Sequence, residues 1–119
     1  MKITVVIPCR NEVNYIEECI DAIFASELPN NCEVSAFIVD GLSDDGTVER
    51  INELSKKYPN LSRVDNEKQL TPFAFNLGIY AGGKVDYVQI VGARHILSKD
   101  YLMRCIERLE SDSSCWCVG

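Results

Sequence analysis

Apolar residues along the chain alternate between two spacings. Ile3 to Ile7 is a continuous apolar and β-branched run, the pattern of a strand covered on both faces, and Pro8 ends it. Ile16, Cys19, Ile20, Ile23 and Phe24 then recur at i, i+3, i+4, i+7 and i+8, one stripe of a helix that Asn11 is placed to cap. Pro29-Asn30-Asn31 turns the chain into a second strand, Val34 to Val39, and Val48, Ile51, Leu54 and Tyr58 mark a second helix that Pro59-Asn60 stops. Leu61 to Asp65 is a shorter, half-polar strand, followed by a polar connection, Asn66 to Leu70. Thr71 as N-cap with Pro72 at the first helical position opens a third helix, with Phe73, Leu77 and Tyr80 as its buried stripe and Gly82-Gly83 as its end. Val85 to Val91 is the next strand. Ser98 caps a fourth helix carrying Leu102, Cys105, Ile106 and Leu109, and after the turn Ser111 to Ser114 a fifth strand begins at Cys115 and runs to Val118.

This order, strand and helix in alternation, predicts an α/β fold: a mostly parallel sheet with helices on both faces and right-handed crossovers. There is no internal repeat, linker or low-complexity tract. The 119 residues suffice for one small domain. The pattern stops on a strand, so either the domain is cut short there or Cys115 to Val118 is an edge strand.

Charge narrows the function. A net charge of −6 argues against nucleic acid as a partner, since that needs a basic face to neutralise phosphates. No apolar run approaches the roughly 20 residues that span a bilayer, so this stretch is expected to carry no membrane anchor or signal peptide. The six cysteines sit within apolar patterns, without a CxxC pair and with His95 as the one histidine, so a zinc site is poorly supported. They read as reduced core residues of a cytosolic protein, with Cys115 and Cys117 on one face of a strand.

Two strand ends carry the candidate chemistry. Phe37-Ile38-Val39-Asp40 runs into Gly41-Leu42-Ser43-Asp44-Asp45-Gly46-Thr47: an apolar run, a carboxylate, a tight polar loop and a helix start. Loops at the carboxyl ends of parallel strands are where open α/β sheets bind ligands. Aspartate after a strand often only starts a turn. Here Asp44 and Asp45 are better placed to cap the helix, which leaves Asp40 free to accept a hydrogen bond from a base N–H or a ribose hydroxyl. The first strand ends similarly, in Pro8-Cys9-Arg10-Asn11-Glu12, either a helix start with an exposed ion pair or a polar rim for ribose or phosphate. A buried thiol is the expected state of Cys9, ahead of a nucleophile. The chain has no G-x-G-x-x-G after its first strand and no Walker lysine, which disfavours dinucleotide oxidoreductases and P-loop enzymes.

Val6-Ile7-Pro8-Cys9-Arg10-Asn11-Glu12 and Val39-Asp40-Gly41-Leu42-Ser43-Asp44-Asp45-Gly46-Thr47 together resemble the inverting family-2 glycosyltransferases of GT-A fold. The branch that builds bacterial polysaccharides such as succinoglycan is most similar, and Asn66 and Thr71 to Ile79 also match it in order and spacing. The resemblance covers nearly the whole chain. It implies a Rossmann-like, nucleotide-sugar-binding portion of a GT-A domain over residues 1–119, truncated at its C-terminus. Pro8, Arg10, Asn11 and Glu12 would line the nucleoside pocket, with Asp40 on the base, Gly41 beside it, and Ala93 and Arg94 in the loop after the last long strand. It implies a nucleotide-sugar donor, uridine diphosphate by default and guanosine diphosphate as the second option. A hexose would pass with inversion to a polysaccharide or lipid-linked acceptor. The setting would be cytoplasmic, free or at the inner face of the membrane through other parts of a longer chain.

The sequence departs from the family pattern in two places. The resemblance implies a divalent cation, magnesium or manganese, anchored by an aspartate after the strand Val85 to Val91, but Gly92 stands in that position and Arg94 follows. Arg94 could supply the positive charge instead, through bidentate bonds to phosphate, and His95 is a weak candidate ligand, better suited to manganese. The carboxylate that acts as base in the family lies beyond residue 119, so no catalytic residue is expected within this chain. Two further classes stay open: a catalytically inactive nucleotide- or sugar-binding module, which Gly92 favours, and a structural domain without a ligand. A homodimer paired through a sheet edge is a further expectation.

Overall fold

The computed structural model describes residues 1–118. Four strands, β1 (Lys2–Cys9), β2 (Glu33–Asp40), β3 (Leu61–Asp65) and β4 (Tyr87–Ile90), alternate with four helices, α1 (Ile16–Phe24), α2 (Thr47–Lys57), α3 (Thr71–Gly82) and α4 (Tyr101–Ser111). All four strands run parallel in one sheet of order β3-β2-β1-β4. The chain builds outward from β1 through β2 to β3, then crosses back to place β4 on the other side of β1. That reversal makes a topological switch point between β1 and β4, where the loops that follow them diverge.

The main core lies on one face of the sheet. Val5 and Ile7 of β1 and Ile38 of β2 pack with Ile16, Ile20 and Ile23 of α1, Ile51 of α2 and Ile106 of α4. This burial of branched side chains is the main source of the fold's stability. The opposite face is thinner, with Val6, Val39 and Ala74 as its buried centre and Val64 and Leu77 at its margin.

Helix α3 covers that second face in a way the expected stripe of Phe73, Leu77 and Tyr80 does not describe. Its buried positions are Ala74 and Gly78, whereas Tyr80 is 88% and Phe73 38% exposed. The backbone comes so close to β1 that a Cβ on Gly78 would stand 2.4 Å from Val6 Cγ1, and one on Gly82 would stand 2.6 Å from Thr4 Oγ1. Small residues at a spacing of four form the contact face, and the large residues are displaced to its flanks. Gly83 ends the helix with φ at +68°, a conformation that favours glycine.

Helix starts differ from the expected caps. Asn11 does not cap α1, which begins after Tyr15 without a side-chain cap. Thr71 lies inside α3 with Leu70 at the cap position, and α4 starts after Asp100, while the Ser98 carbonyl accepts the Tyr101 N–H at 3.1 Å.

The expected fifth strand is absent among the described residues. Asp112 accepts bonds from the backbone and hydroxyl of Ser114, its carbonyl accepts the Cys115 N–H at 3.0 Å, and the Cys115 thiol turns back to the Cys117 carbonyl. Local bonding of this kind competes with strand pairing. Trp116 is 91% exposed, and the tail flanks a cavity of about 300 Å³ with β4 and α4. No cysteine pairs with another among the described residues; of the six, only Cys9 and Cys19 are buried, and Cys117 is exposed. Among the described residues no helix is long and apolar enough to cross a membrane.

Candidate functional site

Cys9 is the register partner of Asp40, and Asp40 of Asp65, so β1, β2 and β3 end level with one another. Their loops and the loop after β4 rise from the same edge of the sheet. The first two are laced together. Asn11 N donates to Ser43 Oγ at 2.8 Å, Asp44 N to Asn11 Oδ1 at 2.9 Å, Glu12 N to Thr47 Oγ1 at 3.0 Å and Gly41 N to the Cys9 carbonyl at 2.8 Å. Asn11 therefore serves as a strut between loops, with φ at +53°, and its side chain is committed away from α1.

Asp40 is not free. Its side chain is fully buried, its Oδ2 accepts the Ser43 N–H at 2.9 Å, and its Oδ1 accepts the Ser43 hydroxyl. An aspartate accepting the backbone N–H three residues on closes a local loop, as side-chain caps do at helix starts. The Asp40 carbonyl accepts Asn66 N at 2.7 Å, and buried Asn66 in turn donates Nδ2 to the Leu70 carbonyl at 2.9 Å. Neither expected aspartate is the cap of α2: Gly46 holds that position without a side-chain cap bond, and Asp45, one residue before it, accepts Thr47 N at 3.0 Å and the Thr47 hydroxyl on its Oδ1. Asp44 stays exposed.

Two arginines reach across this edge in different directions. Arg10 Nη1 donates to Gln69 Oε1 at 3.3 Å, in the loop between β3 and α3. Arg94 Nε donates to Glu12 Oε2 at 2.8 Å, and its guanidinium lies 4.6 Å from the centre of the Tyr15 ring. The Glu12 carboxylate raises the Arg94 pKa further above its already high value. The Arg94–Glu12 pair spans the loops after β4 and β1, at the switch point. Pro8 lies half-buried one residue before the end of β1.

Residues 4–119 match the family described as glycosyl transferase family 2. The chain belongs to that family. Its sequence is 37% identical over 108 residues to a dolichyl N-acetyl-α-D-glucosaminyl phosphate 3-β-D-2,3-diacetamido-2,3-dideoxy-β-D-glucuronosyltransferase of Methanococcus voltae, covering 88% of this chain and 33% of that one. It is 35% identical over 104 residues to the succinoglycan biosynthesis protein ExoA of Rhizobium meliloti, covering 87% of this chain and 31% of that protein. The chain thus spans about a third of the length of these relatives. Its fold matches the mannosyltransferase PcManGT from Pyrobaculum calidifontis, solved with GDP-Man and Mn2+, with a TM-score of 0.80 and 25% identity over 90% of this chain and 32% of that one. S. aureus TarS 1-349 in complex with UDP matches at a TM-score of 0.76 over 93% of this chain and 32% of that one; at 21% identity it shows the shared fold alone. The parallel sheet with helices on both faces is the expected α/β arrangement, of GT-A type.

Family membership makes the β4 loop the place to look for a divalent cation, and its residues do not fit one. Gly92 carries no carboxylate, and the side chain nearest to it is the exposed imidazole of His95, whose Nδ1 lies 2.8 Å from where a Cβ would stand. Ala93, expected in this loop among the binding residues, is buried in the main core. Arg94 brings a positive charge, which repels a cation. Among the described residues no group of three or more His, Cys, Asp or Glu is placed to hold a metal ion. His95 alone is no adequate site.

Cys9 is poorly suited to act as a nucleophile. Burial pushes its thiol up to about 12, with Asp40 and Glu12 adding to the rise, and burial alone takes Cys19 to about 11. Both stay protonated near neutral pH. Sequence reading missed Ser43, Gln69 and Tyr15. Ser43 was detectable, since it follows Asp40 by three residues, within reach of a local side-chain-to-backbone bond. Gln69 and Tyr15 meet their arginines only through the tertiary fold. Asn11, Leu42 and Gln69 all hold positive φ in these loops, a concentration of backbone strain typical of binding sites.

Proposed function

We propose that this chain binds the nucleotide-sugar donor of a glycosyl transfer reaction along the carboxyl edge of its sheet. The observation that carries the reading is the convergence there of Arg10, Glu12, Asp40 and Arg94 from three separate loops, in a chain that belongs to glycosyl transferase family 2. Arg10 with Gln69, and Asp40 with Ser43 and Asn66, bound one side of the crevice and suit a nucleoside. The Glu12–Arg94 side suits the charged part of the ligand. PcManGT was solved with GDP-Man and TarS with UDP, which supports a nucleoside diphosphate sugar as the ligand class here.

The reaction served would be a single displacement with inversion, moving a hexose to a polysaccharide or lipid-linked acceptor. A deprotonated acceptor hydroxyl attacks the anomeric carbon as the nucleoside diphosphate leaves. The acceptor site and the general base would come from outside these 119 residues, so this chain alone would bind donor without transferring sugar. The second reading, a binding module without catalytic activity, is favoured by Gly92 in place of the motif aspartate.

Calorimetric titration of UDP and GDP into the chain tests the proposal. Binding of at least one is expected, weakened by about 1–3 kcal/mol in Arg10→Ala, which removes the exposed guanidinium beside Gln69. Absence of binding by either nucleotide would leave a structural domain as the surviving account. Equal affinity of wild type and Arg10→Ala would move the nucleoside to other residues.

A further inference from the structure

We infer that the diphosphate of the donor is met at this site by the guanidinium of Arg94, held in place by Glu12 and Tyr15, without a divalent cation. The inference deepens the donor-binding reading and rests on it. A nucleoside diphosphate brings at least two negative charges to a protein whose own net charge is −6. The carboxyl edge adds Glu12, Asp40, Asp44 and Asp45 to that burden, so local positive charge has to come from somewhere.

The sheet order says where the charge is needed. In open α/β sheets the ligand sits over the switch point, here between the loops after β1 and β4. Arg94 stands in the second of those loops and is tied to the first. A turn closed by His95 N donating to the Gly92 carbonyl at 3.0 Å presents it, and buried Ala93 anchors that turn in the core.

Its side chain is arranged for a further partner. Nε is engaged by Glu12 at 2.8 Å, and the guanidinium lies over Tyr15. The two terminal nitrogens have no hydrogen-bond partner among the described residues, and the side chain is 64% exposed. A guanidinium fixed at one nitrogen, with its terminal nitrogens open, is the donor set that binds phosphate oxygens bidentately. Glu12, 17% exposed, serves as an anchor that fixes the rotamer before the ligand arrives.

Gly92 bears on the same point by its chemistry, since it offers no carboxylate to a cation. Where a carboxylate would bring a cation, the loop carries a cation of its own two residues later.

The test is calorimetry on the chain with UDP and GDP and with the nucleosides uridine and guanosine, each in EDTA and in manganese. The expected result is a diphosphate that binds more tightly than its nucleoside, equally well in EDTA and in manganese. Arg94→Ala and Arg94→Gln should each weaken the diphosphate by about tenfold or more, the loss expected for a charge-assisted bond, and leave the nucleoside unchanged. Circular dichroism melts of both variants check that the fold is kept. Binding abolished by EDTA and restored by manganese would overturn the inference, as would Arg94→Ala and Arg94→Gln binding like wild type. A nucleoside that binds as tightly as its diphosphate would overturn it while sparing the nucleoside site. No binding by any of the four compounds would overturn the donor-site reading and this inference with it.

Discussion

Asp45 fixes the start of α2 through bonds from the Thr47 hydroxyl and backbone, and these hold its carboxyl below the ordinary value of 3.8. A carboxyl depressed by folding stabilises the native state above its unfolded pKa, and that contribution is lost as pH falls through the lower folded value. Thermal melts should therefore show Asp45→Asn less stable than wild type at pH 7, with the gap closing below about pH 3.8. Thr4 is the opposite case, a hydroxyl buried without a partner under α3. Thr4→Val should raise stability by about 1 kcal/mol, because it removes a polar group that folding strips of water; urea unfolding measures it. At this scale the sequence was only partly legible. It marked Asp40 as the first polar residue after β2, but not that Ser43 occupies both carboxylate oxygens. Hydroxyl orientation and loop-to-loop bonds depend on neighbours brought in by the fold.

The element scale was more legible, because periodicity reports which face a segment buries. Leu61–Asp65 fell where expected, and β1, β2 and the stripe of α1 differed only at their ends. Two elements escaped. The Cys115 to Val118 run has strand-like composition, but it follows a turn whose bonds close locally. In α3 the apolar residues surround the helix, so periodicity could not choose a face; close approach of the backbone chose Ala74 and Gly78. Gly78→Ala should cost about 1–3 kcal/mol, since the new methyl lands on Val6 in a packed interface. Its helix propensity alone predicts a gain, so the sign of the change, read by denaturant unfolding, tells the two effects apart.

Over the whole molecule, the four-stranded order and its reversal at β1 bring the candidate site together from loops far apart in sequence, and Arg94 and Glu12 are 82 residues distant. The alternation of elements made the fold class legible; the pairing across the switch point was not. The two faces of the sheet are unequal, one packed by α1, α2 and α4, the other by α3 through a small cluster. Helix α3 meets the sheet through the smaller of the two buried clusters, so less buried side-chain surface opposes its lifting away. Amide hydrogen exchange should show α3 opening ahead of α1 and α2, at a free energy below that of global unfolding. The loop that carries Asn66 and Gln69 runs directly into that helix. Each excursion of α3 would loosen Gln69 from Arg10 and Asn66 from Asp40, making the weaker layer of the fold a hinge that times how long a bound nucleoside stays.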